Sequence, residues 1–378
     1  MKFSLSVVIL FVLLSCNQIQ HHDIQYNNKQ KCDTLLLKFA KGFRIVDHKN
    51  YKELCIFNPW QGASNIAINY ILTDHPEHVP AGIRGVVIRT PVNRIVCLST
   101  TYIAMIDILH ETSSIVGISG AGLMYNKAVS EKINKGEISD VGYEQSLNYE
   151  LILGLKPDLV MAYGLKNVTG YLKKLEELGV KVVLNAEYLE SDPLAKAEWI
   201  KYIAAFYNKE SLAISIFDTV SEAYSQFRAM AQNITFRPTV MSGLPWNNTW
   251  YVGGGKSYAA RLIEDAGGSY LWKNDTSHES LPLSVESVFV TARNADFWIN
   301  TGAAKNTNEI LAVDKRLSGL KPFREGRLYN NNAIISTGGG SDYWESGVMN
   351  PHLILKDMIS IFHPDLFPGT KLFYYKKI

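Results

Sequence analysis

Arg94-Ile95-Val96-Cys97-Leu98-Ser99-Thr100-Thr101-Tyr102 joins a short apolar run to a helix cap. Consecutive apolar side chains suit a strand covered on both faces. The three hydroxyls after it can accept the first free N–H groups of a helix, and residues 102–109 then read as an apolar helix. The alternation continues outward from this unit. Residues 115–118 read as a strand, 147–153 as a short helix and 159–162 as a strand. Asn167 can cap a further helix whose Leu172, Leu175 and Leu178 share one face; Gly179 stops it, and residues 180–184 form the next strand. Helices set between short, fully apolar strands mean parallel βαβ units.

The period then changes. Ser191-Asp192-Pro193 is a cap followed by proline at the first helical position, and a helical pattern runs to about residue 232 with one break near Asn208. Forty helical residues between two α/β regions predict a stiff connector. After Pro238 the alternation resumes with a strand at 240–241, a helix at 257–266 closed by Gly267-Gly268, a helix from Val285, a strand at 297–300, and a last helix at 351–362 begun by Asn350-Pro351. Upstream, residues 43–90 carry short strand-like stretches (43–46, 54–57 and 86–88) between turn residues. The expected organisation is α/β: a β-rich extension at 43–90, a first Rossmann-like lobe at 91–190, the long helical connector at 191–232 and a second lobe at 233–378. The halves echo each other. Asn148-Tyr149-Glu150 leads to Pro157-Asp158-Leu159-Val160, and Ser284-Val285-Glu286 leads to Ala295-Asp296-Phe297-Trp298, with Gly164 and Gly302 six residues after each Asp.

Bulk composition narrows the function. The chain has 378 residues, 47% hydrophobic and 20% charged, with a net charge of +2, so it is a globular chain with no electrostatic footprint for nucleic acid. Its first residues differ. Lys2 precedes an apolar run at 5–14 that is too short to span a bilayer and suits the core of a secretory signal at 1–15. The run ends in Leu13-Leu14-Ser15-Cys16, which resembles the lipobox of bacterial lipoproteins. That resemblance implies cleavage before Cys16, a lipid on its sulfur, and a protein held at the cell envelope facing the periplasm or cell exterior. Residues 16–42 then serve as a tether. Of the remaining cysteines, Cys97 lies within an apolar strand, where an inert buried thiol is expected. Cys32 and Cys55 could pair in an exported protein.

The same motifs carry a family resemblance. Residues 94–99, Asn148-Tyr149-Glu150 with Leu155-Lys156-Pro157-Asp158, and Leu175-Glu176-Glu177-Leu178-Gly179-Val180 are similar to the first lobe of the cobalamin and iron-chelate binding proteins of ABC importers. Val252-Gly253-Gly254, Leu262-Ile263-Glu264-Asp265-Ala266-Gly267-Gly268 and Ser284-Val285-Glu286 are similar to the second lobe. The likeness covers roughly residues 91–362 and leaves the stretch before Pro91 unaccounted for. It implies two lobes bridged by a helix with the solute between them, a monomer acting with a membrane permease and its ATPase, and docking through one Glu from each lobe. Glu150 and Glu286 match those positions. The solute class implied is an iron siderophore or cobalamin, with haem as the alternative.

Ligands of parallel sheets lie beyond the carboxyl ends of the strands. The loops there are rich in rings, and Tyr102, Tyr143, Tyr163, Trp246, Trp250 and Trp344 are the candidate ligand contacts, since flat side chains cover a large solute at low entropic cost. No tight arginine group marks these loops, which disfavours a heavily carboxylated chelate. His110, His278, His352 and His363 sit singly, so a bare metal ion held by clustered side chains is not expected, and no resident cofactor is implied. A haem ligated by one Tyr or His stays open. An enzyme is disfavoured. Gly253-Gly254-Gly255-Lys256-Ser257 is similar to a phosphate loop, but that motif needs glycine where Trp250 stands, and neither a G-x-S-x-G elbow nor an H-E-x-x-H pair occurs. Gly338-Gly339-Gly340 reads as a flexible loop before Tyr343-Trp344.

Overall fold

A computed structural model describes residues 33–143, 146–165 and 170–378. The signal segment, Cys16, the tether up to Cys32, and the Asn167 cap lie outside the described residues. The extension is a five-stranded sheet, β1 (Asp33–Thr34), β2 (Phe43–Asp47), β3 (Lys52–Phe57), β4 (Ala67–Thr73) and β5 (Val86–Arg89), in that order. The first four strands are antiparallel, and β5 joins β4 in parallel. Sheet and first lobe share one core. Leu54, Ile56, Tyr70 and Leu72 pack into the same apolar cluster as the strands of that lobe, and the Tyr70 hydroxyl accepts from the Leu184 amide at 2.9 Å. Cys55 is a buried free thiol, as is Cys97.

The first lobe runs β6 (Ile95–Cys97), α1 (Thr100–Ile108), β7 (Ile115–Ile118), α2 (Lys127–Asn134), β8 (Ser139–Asp140), α3 (Tyr149–Leu155), β9 (Leu159–Ala162), α4 (Gly170–Glu177) and β10 (Val182–Leu184). Its parallel sheet has the order β10-β9-β6-β7-β8. The chain therefore leaves β6 in both directions and reverses between β6 and β9.

The connector consists of α5 (Pro193–Glu198), α6 (Ile200–Ala205) and α7 (Glu210–Gln232). The break at Asn208 is present, with φ at +56°, and a second falls at Trp199. Every residue of α6 is buried, which explains an apolar stretch with no helical stripe. At 23 residues α7 is about 34 Å long. Glu198, wholly buried, receives the amides of Lys38, Phe39 and Ala40 at 2.7–3.1 Å and the Lys201 ammonium at 2.6 Å. A buried carboxylate is tolerated only with such partners, and this one ties the segment between β1 and β2 to the connector.

The second lobe runs β11 (Thr239–Ser242), β12 (Thr249–Gly253), α8 (Tyr258–Asp265), β13 (Ser269–Tyr270), β14 (Ser280–Ser284), α9 (Val285–Ala292), β15 (Phe297–Ile299), α10 (Thr307–Val313), α11 (Lys321–Arg324), β16 (Leu328–Asn330), α12 (Pro351–Phe362) and β17 (Lys376–Lys377). Its main sheet has the order β13-β11-β15-β16-β17, parallel except for β17 at the edge, so the reversal falls between β11 and β15. A separate antiparallel pair, β12 with β14, stands beside it. The sequence repeat has a physical basis here. Asp158 accepts the amides of Asn93 and Arg94 at the start of β6, at 2.8 and 2.9 Å. Asp296 accepts the Thr239 amide at the start of β11 at 2.8 Å, together with the Thr239 hydroxyl. In both lobes the repeated aspartate closes off the free donors at the start of the first strand of the lobe.

Candidate functional site

The two strand-order reversals define where a solute can lie, because loops on either side of such a point diverge and leave a crevice at the strand ends. In the first lobe those segments are Leu98 and Ser99 with the first turn of α1 after β6, and Tyr163 to Leu165 after β9. In the second they are Gly243 to Asn248 after β11 and Asn300 to Gly302 after β15. Loops from the two lobes meet directly. Ser336 donates to the Leu123 carbonyl at 3.3 Å, and at the start of the connector Ser191 lies 3.2 Å from His278 of the second lobe. Side chains at Gly338 or Gly340 would collide with the carbonyls of Gly122 and Leu123. The triple glycine is therefore a close backbone crossing between lobes rather than a flexible spacer, which corrects the expectation for that loop.

Glu345, 4% exposed, secures this crossing. Its carboxylate accepts the amides of Tyr125 and Asn126, each at 2.8 Å, while Asn126 caps α2 and donates to Asp107 at 2.8 Å. Burial pushes the Glu345 carboxyl up, against the pull of those two amides. A cavity of about 490 Å³ opens alongside, lined by Asp107, His110 and Lys127 on one side and Asp342, Glu345 and Met349 on the other. It follows the second half of α1, roughly 10 Å along the helix from Thr100, and is lined by residues of both lobes.

The six candidate contacts divide sharply. Trp246, 69% exposed, stands on a tight turn whose Asn247 and Asn248 both have left-handed backbone, closed by paired bonds between Trp246 and Thr249. Tyr143 is 55% exposed, with its ring over Gly120, where a methyl group would lie 3.2 Å from it. Trp344 is 62% exposed and edge-on to Tyr343. Tyr163 is half-buried, its ring 6.3 Å from that of Tyr188. Tyr102 and Trp250 do not qualify. Tyr102 is wholly buried on the inward face of α1 and points to the Asn185 carbonyl. Trp250 is wholly buried because it lies on the inner face of β12, its ring tilted 37° to that of Trp298 at 5.7 Å, with its indole N–H donating to the Ser242 carbonyl. Alternation in Thr249-Trp250-Tyr251-Val252 was the signal for this strand.

Several residues at the crevice have no local signature in the sequence. Trp60 and Pro59, on the β3–β4 connection of the extension, press against Gly164 beside Tyr163, so the extension forms part of the rim. Glu187 is buried near Lys196. Burial pushes the Glu187 carboxyl up and the Lys196 ammonium down. Lys196 lies 4.5 Å over the Tyr258 ring of the second lobe. The glycine-rich segment at 253–257 has its amides engaged within the chain, Gly254 to Glu279 and Lys256 to Ser277, and is no phosphate cradle. His110, His278, His352 and His363 remain separate from one another, but His75 and His78 come together with Glu77 on the extension.

Glu150 and Glu286 occupy matching places. Each is the second helical residue after a side-chain cap, Asn148 for α3 and Ser284 for α9, and each is exposed. They differ in one respect. Glu286 is paired with Arg316 at 3.1 Å, and Arg316 also holds Asp314 at 2.6 Å. The amide at its own helix start and Arg316 together hold the Glu286 carboxyl below its ordinary range.

Comparison with known proteins agrees with this architecture. An uncharacterized lipoprotein of Methanocaldococcus jannaschii is 26% identical over 405 aligned positions, spanning 99% of this chain and 94% of that protein. Among solved structures, a possible iron-binding periplasmic solute-binding protein from Staphylococcus epidermidis superposes with a TM-score of 0.56 at 19% identity, covering 72% of this chain and all of that one. A periplasmic heme-binding protein from Pseudomonas aeruginosa does so with a TM-score of 0.55 at 19% identity, covering 75% and 95%. Among the described residues no helix is long and apolar enough to cross a membrane. Residues 95–333 match the sequence profile of the periplasmic binding proteins, and with two parallel-sheet lobes joined by a helical connector the chain belongs to that solute-binding family.

Proposed function

We propose that this protein captures an iron siderophore or cobalamin-type metal chelate in the crevice between its lobes and delivers it to the permease of an ABC importer. The observation that carries the reading is the set of exposed rings on loops from both lobes, Tyr143, Trp246 and Trp344, with Tyr163 and Trp60 at the rim. Rings on both sides suit a broad, flat solute whose metal is already coordinated. A haem is the second reading, favoured by the exposed Tyr143 phenol, a group able to ligate iron. Cys16 carries the lipid that keeps the protein at the membrane, and Glu150 and Glu286 meet arginines of the permease. For Glu286 this docking trades Arg316 for a partner on the permease, so the net gain on association is smaller than for a carboxylate with no partner in the free protein.

Glu150→Lys combined with Glu286→Lys tests the delivery step. Exposed charges contribute little to folding, whereas like charges across an interface cost several kcal/mol. Stimulation of the reconstituted transporter's ATPase should fall at least tenfold, with melting temperature and affinity for ferric siderophore or cobalamin near the parent's. Normal stimulation would remove the docking role. Loss of solute binding alongside it would place these residues in the solute site instead.

A further inference from the structure

We propose that the extension carries a binding site for a divalent transition-metal ion of the zinc, copper and nickel class, formed by His75, Glu77 and His78. The three offer donor atoms that all lie within 4.8 Å of one another, and the imidazole rings are 5.0 Å apart between centres. Two imidazoles and a carboxylate are the donor set that first-row divalent ions favour over calcium or magnesium, which require oxygen. A tetrahedral ion would take one donor from each residue and keep one position for water.

The frame that holds these donors is fixed. Residues Pro76–His78 form a single helical turn, in which proline presets the backbone angle. The His78 amide donates to the His75 carbonyl at 2.9 Å. The His75 amide donates to the hydroxyl of Thr73, a buried residue at the end of β4 that itself bonds to the Asn50 carbonyl. His75 Nδ1 lies 3.0 Å from Glu77, and its Nε2 lies 3.7 Å from Asp74. With the ion on Nδ1, Nε2–H faces the Asp74 carboxylate. That arrangement sets the tautomer and raises the basicity of a metal-bound histidine. Such an ion would sit on the connection between β4 and β5 of the extension.

Calorimetric titration of the full chain in detergent with Zn²⁺ at pH 7.5 tests the site. One ion per chain should bind with micromolar affinity or tighter. His75→Ala with His78→Ala should weaken it at least tenfold, and Glu77→Gln should weaken it severalfold. All three side chains are exposed, so melting temperature without metal should be unchanged. No Zn²⁺ binding by the parent, or less than a tenfold loss in the double variant, overturns the assignment; the second result would place the ion at other histidines of the chain.

Discussion

Glu345→Ala probes the contact that joins the lobes. Two amides of the first lobe, those of Tyr125 and Asn126, each donate to this carboxylate at 2.8 Å, and the side chain is all but sealed from water. Removing it leaves both donors without an acceptor inside a protein surface. A hydrogen bond to a charged group is worth about 1.5–3 kcal/mol when its loss strands the partner, so the pair sums to about 3–6 kcal/mol. For a body of this size the entropy of unfolding is roughly 0.7 kcal/mol per kelvin. The melting temperature should therefore drop by about 4–9 °C. Glu345→Gln keeps one acceptor oxygen and should lose roughly half as much, while Glu150→Ala, an exposed acid at a helix start, should cost less than about 1 kcal/mol. Scanning calorimetry gives the shifts, and hydrogen exchange should show the segment containing Tyr125 and Asn126 opening faster in the alanine variant. A Glu345→Ala protein melting within about 1 °C of the parent, with unchanged exchange there, would refute the reasoning.

His352 and His363 are both held below the ordinary imidazole value of 6.5 by burial. As pH falls through that value the unfolded chain takes up protons first, so stability present above it is lost on descent toward the folded-state values; melting temperature should fall between pH 7 and 5, and less steeply in a His352→Gln/His363→Gln variant, with an equal slope counting against these groups. Cys16→Ser should abolish lipidation and move the protein out of the detergent phase or leave it unprocessed. Unchanged partitioning without precursor would remove the anchor.

Much of the fold was legible because its strands are covered on both faces and so are apolar without interruption, as in Ile95-Val96-Cys97 and Leu159-Val160-Met161-Ala162. The repeated aspartates were visible too, since both lobes must quench the same free strand donors. What escaped was set by tertiary context. Trp250 looked like a loop residue because its neighbours are polar, yet two-residue alternation put it on a strand facing Trp298. Tyr102 belonged to an apolar helix, where a ring points inward as readily as toward a ligand. The crossing at Gly338 and Gly340 depends on a carbonyl more than 200 residues away, and no local pattern encodes it. His75 and His78 were legible as a pair three residues apart, but they lie in the extension, which the lobe motifs do not reach.

Solute capture in the crevice is tested most directly by calorimetric titration of the full chain in detergent against ferric siderophores, cobalamin and haem, followed in parallel by tryptophan fluorescence. One of these should bind at micromolar concentration or below, about −8 kcal/mol or stronger, and quench the exposed indoles. Replacing Trp246 and Trp344 by alanine should weaken that binding at least tenfold without lowering the melting temperature, because both rings face solvent. Failure of every chelate to bind at micromolar levels, or full affinity in the double variant, would contradict the account.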